Sequence, residues 1–186
     1  MKSNNLKPET GRVIVSEPFL EDDFFTRSVV LLARVEESGV MGFILNKPLG
    51  NFVYEIIDDF PEFESPVYYG GPVDHDSLFF IHSIPELIGS HFKVGEGIYF
   101  GGDFEKIQHM IVAGLIEPNQ IRFFVGYSGW DSGQLDHELS SDCWLVFERP
   151  RQLLNLEVKS LWGELIRSTH SDLAIWSNFP EDPTEN

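Results

Sequence analysis

The chain has 186 residues, 42% of them hydrophobic and 16 of them Phe. That suits one packed domain, and a domain of this size buries about 70% of its unfolded-chain surface. Thirteen Lys and Arg stand against 30 Asp and Glu, a formal net charge of -17, whereas a nucleic-acid binder carries a basic stripe that neutralises phosphates. Cys143 alone cannot form an intramolecular disulfide, and no apolar stretch approaches the roughly 20 residues of a membrane span.

Residues 1–10 read as a loose polar arm without a secretory pattern, and a reducing cytoplasm is the expected setting. Arg12–Ser16 reads as a strand ended by Pro18, and Glu21–Thr26 as a polar-aromatic turn. Ser28–Val35 is a nearly continuous apolar run, the pattern of a strand covered on both faces. A short Gly-containing turn joins it to Val40–Leu45, which makes a hairpin. Asn51–Phe60 places Phe52, Val53, Ile56, Ile57 and Phe60 on one face at helical spacing. Val67–Tyr69 and Leu78–His82 are short strands around Gly70-Gly71-Pro72, and Ile98–Phe100 is another.

Asp103–Leu115 reads as a helix with Phe104, Ile107, Ile111 and Leu115 on its buried face. Ile121–Gly126 is a strand, Asp131–Leu139 a helix, Trp144–Phe147 a strand and Glu157–Thr169 a last helix. Strands and helices do not alternate regularly, which predicts an α+β fold. No repeat or linker divides the chain, so residues 11–176 form one expected domain. The Pro-rich acidic stretch 177–186 reads as a flexible tail.

The densest cluster of aromatic, Gly and polar residues runs from Gly126 to Leu139, at a strand-to-helix junction. With Asp131 as N-cap, Gln134 takes the third helical position, an Asp-x-x-Gln form of the capping box, and Trp130 and Leu135 form a hydrophobic staple. Helix initiation thus accounts for Trp130, Asp131 and Gln134. Tyr127 and Ser128 are left over as a candidate corner. Gly126-Tyr127-Ser128-Gly129 departs from the nucleophile elbow G-x-S-x-G by one residue, and no convincing acid and His follow it. In Gly101-Gly102-Asp103, a Gly turn with Asp103 as N-cap outweighs an anion site, because the carboxylate would repel the anion.

His75, Asp74, Asp76 and His82 lack metal-ligand spacing, so no metal is expected. The absence of phosphate-loop and dinucleotide motifs predicts no cofactor. Cys143, in an apolar run, reads as an inert thiol. The polar constellation that remains is Arg27, Ser28, Asn46 and Lys47. In an antiparallel hairpin the start of one strand lies beside the end of the next, with strands about 4.8 Å apart, so these four converge at one sheet edge. Such an edge would be a candidate anion site. The structural alternative pairs Arg27 with Asp22 or Asp23 and uses Asn46 to shape the turn before Pro48.

Several motifs carry a family resemblance over residues 11 to about 166. They are Glu17-Pro18 with Arg27-Ser28, Leu45-Asn46-Lys47-Pro48, Tyr69-Gly70-Gly71-Pro72-Val73, His82, Gly101-Gly102-Asp103, and Gly126 to Leu139. In these the chain resembles the YqgE/AlgH family of bacterial proteins. The resemblance implies a mixed, strongly curled sheet with barrel-like closure, wrapped by helices. The family is often labelled a transcriptional regulator, though its biochemical role is unsettled. Lys47 stands where members commonly carry Arg, and Val35 where they often carry His. Lys is not an equivalent bidentate donor.

These residues hold no DNA-reading motif, so any regulatory role is expected to be indirect. The expected function is a cytoplasmic, non-catalytic regulatory or binding protein with an unknown protein partner or small ligand and no membrane attachment. The alternative is a small-anion sensor or an enzyme using the Arg27/Asn46/Lys47 edge. The charge pattern predicts no sequence-dependent binding to duplex DNA. Gel shift and anisotropy at about 100 mM salt, where the Debye length is about 10 Å, check this, and submicromolar sequence-dependent binding would contradict it.

Overall fold

The apolar run after Ser28 becomes a strand whose first five residues are fully buried, because helices and loops cover both faces of the sheet there. The computed structural model describes residues 6–20 and 22–169. In chain order the first strands are β1 Val13–Ser16, β2 Val29–Glu36, β3 Gly39–Ile44 and β4 Pro48–Phe52. Then come helix α1 Val53–Ile56, β5 Pro66–Tyr69, β6 Val73–His82, α2 Pro85–Ile88, β7 Phe92–Gly95 and β8 Ile98–Phe100. The last elements are α3 Phe104–Val112, β9 Ile121–Asp131, α4 Gln134–Ser140, β10 Trp144–Phe147 and α5 Val158–Ser168.

The fold is α+β, as expected. The strands run β10-β1-β2-β3-β9-β6-β8-β7, with β5 beside β9 and β4 beside β5. Every pairing is antiparallel except β5 with β9. The barrel-like closure and strong curl implied by the resemblance are not formed, since the path ends at β10 and β7, which do not pair with each other. The reason lies in β9. One of its edges is shared, Ser128–Asp131 facing β3 and Phe123–Val125 facing β5. The sheet therefore forks at β9 instead of rolling round to meet its other end.

The fork is built from glycine. Gly70 donates its N–H to Val125 O at 2.8 Å and accepts from Ile44 N at 3.0 Å. A Cβ on Gly70 would collide with the Gly126 carbonyl, and one on Gly71 with the Tyr127 backbone, well inside the 3.0 Å below which Cβ atoms essentially never come. Gly126 adopts φ 68°, a region glycine enters without steric penalty. Ser128 Oγ donates to Gly70 O at 3.0 Å and is fully buried.

Three apolar clusters fill the two faces. Phe43, Phe124 and Leu31 pack against Leu161, Trp162 and Ile166 of α5. Phe123, Val67 and Ile121 pack against Val53, Ile88 and Ile107 of α1, α2 and α3. Ile14, Val30 and Ile44 pack with Trp130, Trp144 and Leu135 of α4.

Several expected elements differ. Residues 51–60 are not one helix. Pro48–Phe52 is strand, and only Val53–Ile56 is helical. Val53 N–H donates to Ser65 O, and Asp59 takes φ 60°, so bends rather than helical spacing bring Val53 and Phe60 into the core. Asp103 caps α3 by accepting from Lys106 N at 3.1 Å, as expected. Gly114 at φ 68° then reverses the chain, leaving Leu115 exposed and burying Ile116 in its place. Of residues 1–10, 1–5 lie outside the described residues, while Leu6 packs half-buried and Thr10 Oγ1 accepts from Val35 N at 2.9 Å. The tail 177–186 also lies outside them.

The junction after Gly126 is corrected most. β9 continues through Asp131, and α4 starts at Gln134 behind Gly133 in the left-handed region. Asp131 is therefore not the N-cap, because cross-strand pairing of Val40 with Trp130 and Gly39 with Asp131 holds those residues extended. Half of the expected box survives, with Asp131 N–H donating to Gln134 Oε1 at 3.0 Å. Trp130 and Leu135 still share one core cluster. Glu138 Oε2 accepts from both indoles, Trp130 Nε1 at 2.9 Å and Trp144 Nε1 at 2.8 Å, and Oε1 accepts from Gln134 Nε2 at 2.9 Å. Truncating Trp130 to Ala is expected to cost about 3–5 kcal/mol. Asp131→Ala should stay within about 0.5 kcal/mol, the range of surface substitutions. Denaturant melts check both, and equal losses for the two variants would contradict the corrected geometry.

Candidate functional site

The start of β2 is shaped by the turn before it. Asp22 Oδ1 accepts from Phe24 N at 2.8 Å and Phe25 N at 2.9 Å, an Asx turn in which the side chain mimics the backbone. Asp22 is thus engaged with its own turn. Arg27 follows at φ 49°, a left-handed conformation that costs a non-glycine residue on the order of 1–3 kcal/mol.

Asn46 holds Arg27 there. Its Nδ2 donates to Arg27 O at 2.8 Å and its Oδ1 accepts from Val29 N at 2.8 Å. One amide thereby satisfies the backbone on both sides of Ser28. Ser28 is fully buried, and its N–H donates to Ser16 Oγ at 2.8 Å. The carbonyl of Ser16 accepts from Trp162 Nε1 at 2.9 Å, which ties α5 to this end of the sheet. Lys47 Nζ donates to Phe24 O at 2.7 Å. Arg27, Ser28, Asn46 and Lys47 thus lie together around one turn, and Arg27 and Asn46 line a cavity beside it.

That cavity, about 460 Å³, is a groove between the turn and α5, lined by Arg27, Asn46, Lys159, Ser160, Trp162 and Arg167 among others. The Arg27 guanidinium lies 5.0 Å from the Trp162 ring centroid. The Arg167 guanidinium lies over Gly163, with Nη1 3.4 Å from where a Cβ would stand, an ordinary contact. Three cations, 140 positions apart at the extremes, therefore line one concavity. The donor set of guanidinium, ammonium and amide groups suits an anionic oxygen ligand. Ser160 Oγ donates to Glu164 Oε1 at 2.5 Å. The cationic wall from α5 was missed in sequence, where these residues read only as part of the last helix. No local signal in the sequence pointed to it.

The second candidate corner lies elsewhere. Ser128 is locked to Gly70 O, and Tyr127 packs edge-on to Phe79 with ring centroids 5.6 Å apart. Neither faces the groove. Gly70, Gly71 and Pro72 belong to the fork, and Gly101, Gly102 and Asp103 to the turn leading into α3. His82 is fully buried beneath that turn. Its Nε2 lies 2.8 Å from Gly101 O, and its Nδ1 accepts from Ile84 N at 3.2 Å. That geometry assigns the neutral tautomer with the proton on Nε2. Burial lowers its pKa, against smaller opposing effects from the Gly101 bond and Glu86.

Among the described residues no three His, Cys, Asp or Glu side chains are placed to hold a metal ion. No helix there is long and apolar enough to cross a membrane. Cys143 is half-buried, and burial raises its thiol pKa.

Comparison with known proteins places this geometry in context. A family model described as AlgH-like matches residues 13–174. A UPF0301 protein of Bacteroides thetaiotaomicron is 43% identical over 188 residues, covering 100% of this chain and 95% of its own. One from Chlorobium limicola is 36% identical, covering 98% of this chain and 97% of its own. The solution structure of the AlgH protein from Pseudomonas aeruginosa superposes with TM-score 0.71 at 24% identity, covering 95% of this chain and 100% of that one. A crystal structure from Corynebacterium diphtheriae also gives 0.71, at 22% identity, covering 96% and 95%. The two solved structures share the fold.

The buried His82 carries a pH dependence of known sign. Its folded pKa lies below the ordinary 6.5, so the unfolded chain binds the proton more readily. The stability it contributes is complete above about pH 6.5 and falls as pH drops toward the folded pKa. Wild type should therefore lose more stability than His82→Gln between about pH 7.5 and 5.5. Denaturant midpoints at both pH values check this, and equal losses would contradict it.

Proposed function

The chain belongs to the AlgH-like family, and from that premise we propose that it is a non-catalytic binding protein whose groove holds an acidic group of a partner or ligand. The carrying observation is the convergence of Arg27, Lys159 and Arg167 on one concavity in a chain of net charge -17. Exposed carboxylates farther away than about a Debye length of 10 Å are largely screened at 0.1 M salt. The three cations share one wall system and outnumber the nearby Glu164 carboxylate, which accepts from the Ser160 hydroxyl. Trp162 supplies an apolar floor beside them.

A non-catalytic role is supported by the lining itself. Among the described residues no histidine is part of it, and the Ser160 hydroxyl is directed at Glu164. Any regulation is then indirect, exerted in the cytoplasm by capture of an acidic partner rather than by contact with DNA. A second reading, a small-anion sensor, is favoured by the groove's volume, which falls within the roughly 300–1,000 Å³ of small-molecule sites.

Calorimetry with inorganic phosphate, citrate and a poly-glutamate peptide tests the proposal. At least one should bind saturably, weaken as salt rises, and lose about tenfold in affinity, about 1.4 kcal/mol, in Arg167→Ala. Absence of binding by all three, or binding indifferent to Arg167→Ala and Lys159→Ala, would overturn it. Preference for citrate or phosphate over the peptide would favour the sensor.

A further inference from the structure

Arg122 on β9 is only 2% exposed, and among the described residues no carboxylate pairs with it. Its Nη2 donates to Leu45 O at 2.5 Å and its Nη1 to Leu153 O at 3.2 Å. The guanidinium lies 3.8 Å from the centroid of the Tyr68 ring, and Nε has no partner. Burial lowers its pKa to about 10, against a smaller opposing effect from Tyr68. A buried cation without an acid is costly, and its solvation here rests on two backbone carbonyls and one ring face. Packing alone therefore gives little reason for an arginine at this position.

The two carbonyls it holds supply the reason. Leu45 directly precedes Asn46, the residue that fixes the Arg27 turn. Leu153 lies in the connection from β10 to Glu157, the N-cap of α5, whose first turn carries Lys159 and Ser160. One planar fork thus bonds both the residue before Asn46 and the loop that leads into α5, while Arg122 itself is not part of the lining. A lysine carries the same charge on a single nitrogen and cannot reproduce that fork.

We infer that Arg122 is a positioning residue that sets the separation between Asn46 and the first turn of α5, and so tunes the groove for its anion. The inference rests on reading the groove as an anion site. A second tie, Trp162 Nε1 to Ser16 O, also holds α5 to the sheet. Affinity and exchange measured on folded variants therefore report on the groove apart from any loss of stability at position 122.

The test compares wild type, Arg122→Lys and Arg122→Met in the full chain. Three measurements are made on each: cooperative unfolding, citrate and phosphate affinity, and amide hydrogen exchange over residues 154–163. Arg122→Met leaves the Leu45 and Leu153 carbonyls without this donor and is expected to unfold cooperatively at a lower midpoint than wild type. It should bind the anion about tenfold more weakly and exchange faster in the first turn of α5, with Arg122→Lys between the two. Unchanged affinity and exchange in folded Arg122→Met would overturn the inference. Should Arg122→Met not fold, Arg122→Lys decides alone, with wild-type affinity and exchange overturning the inference. If wild type binds neither anion, the anion reading of the groove falls, and exchange at the first turn of α5 decides whether Arg122 positions that wall.

Discussion

Backbone meets backbone where the Gly70-Gly71 turn crosses β9 at Gly126, and the rest of the sheet depends on that contact. Side chains at these positions would stand inside van der Waals distance of the opposing backbone, so the crossing admits only glycine. Because it forms, β9 gives one half of its edge to β5 and the other to β3. β3 leaves the fork with Leu45 and Asn46 beside the start of β2. Arg122 is carried on the half of β9 that lies before the fork. The groove is thus a consequence of where the sheet divides.

Its chemistry follows from a small number of polar contacts. A left-handed Arg27 is an unfavourable backbone state, and the Asn46 amide offsets that cost by bonding to Arg27 O and Val29 N together. Two neutral hydrogen bonds contribute about 1 kcal/mol each, the same order as the strain they hold. The turn is therefore poised rather than over-built. α5 closes the other side, anchored by Leu161, Trp162 and Ile166 in the core and by the indole bond to Ser16.

Much of this was legible in sequence, for reasons that differ by residue. The run after Ser28 announced β2 because burial on both faces leaves no polar alternation. Asp103 announced the start of α3, since a capping carboxylate leaves a local signature. The meeting of Arg27 with Asn46 followed from hairpin geometry. Trp130 and Asp131 misled because a strand end and a helix start can carry the same capping residues, and only the pairing with β3 decides between them. Residues 51–60 misled because Phe52, Val53 and Phe60 reach apolar surroundings through bends that happen to match helical spacing. Lys159 and Arg167 could not be placed at all, since nothing local tells a helix face which distant loop it will meet. The expectation of a barrel failed because closure depends on how one strand shares its edge, a property without a residue signature.

The central claim is that an acidic ligand is held between the Arg27 turn and α5. Amide and indole chemical-shift mapping during a citrate titration tests it most directly. The account predicts saturable shifts confined to Arg27, Asn46, residues 158–160, Gly163 and the Trp162 indole. Shifts centred instead on the acidic pocket around Glu36, Glu37, Asp131 and Asp136, or spread evenly over the surface, would contradict it.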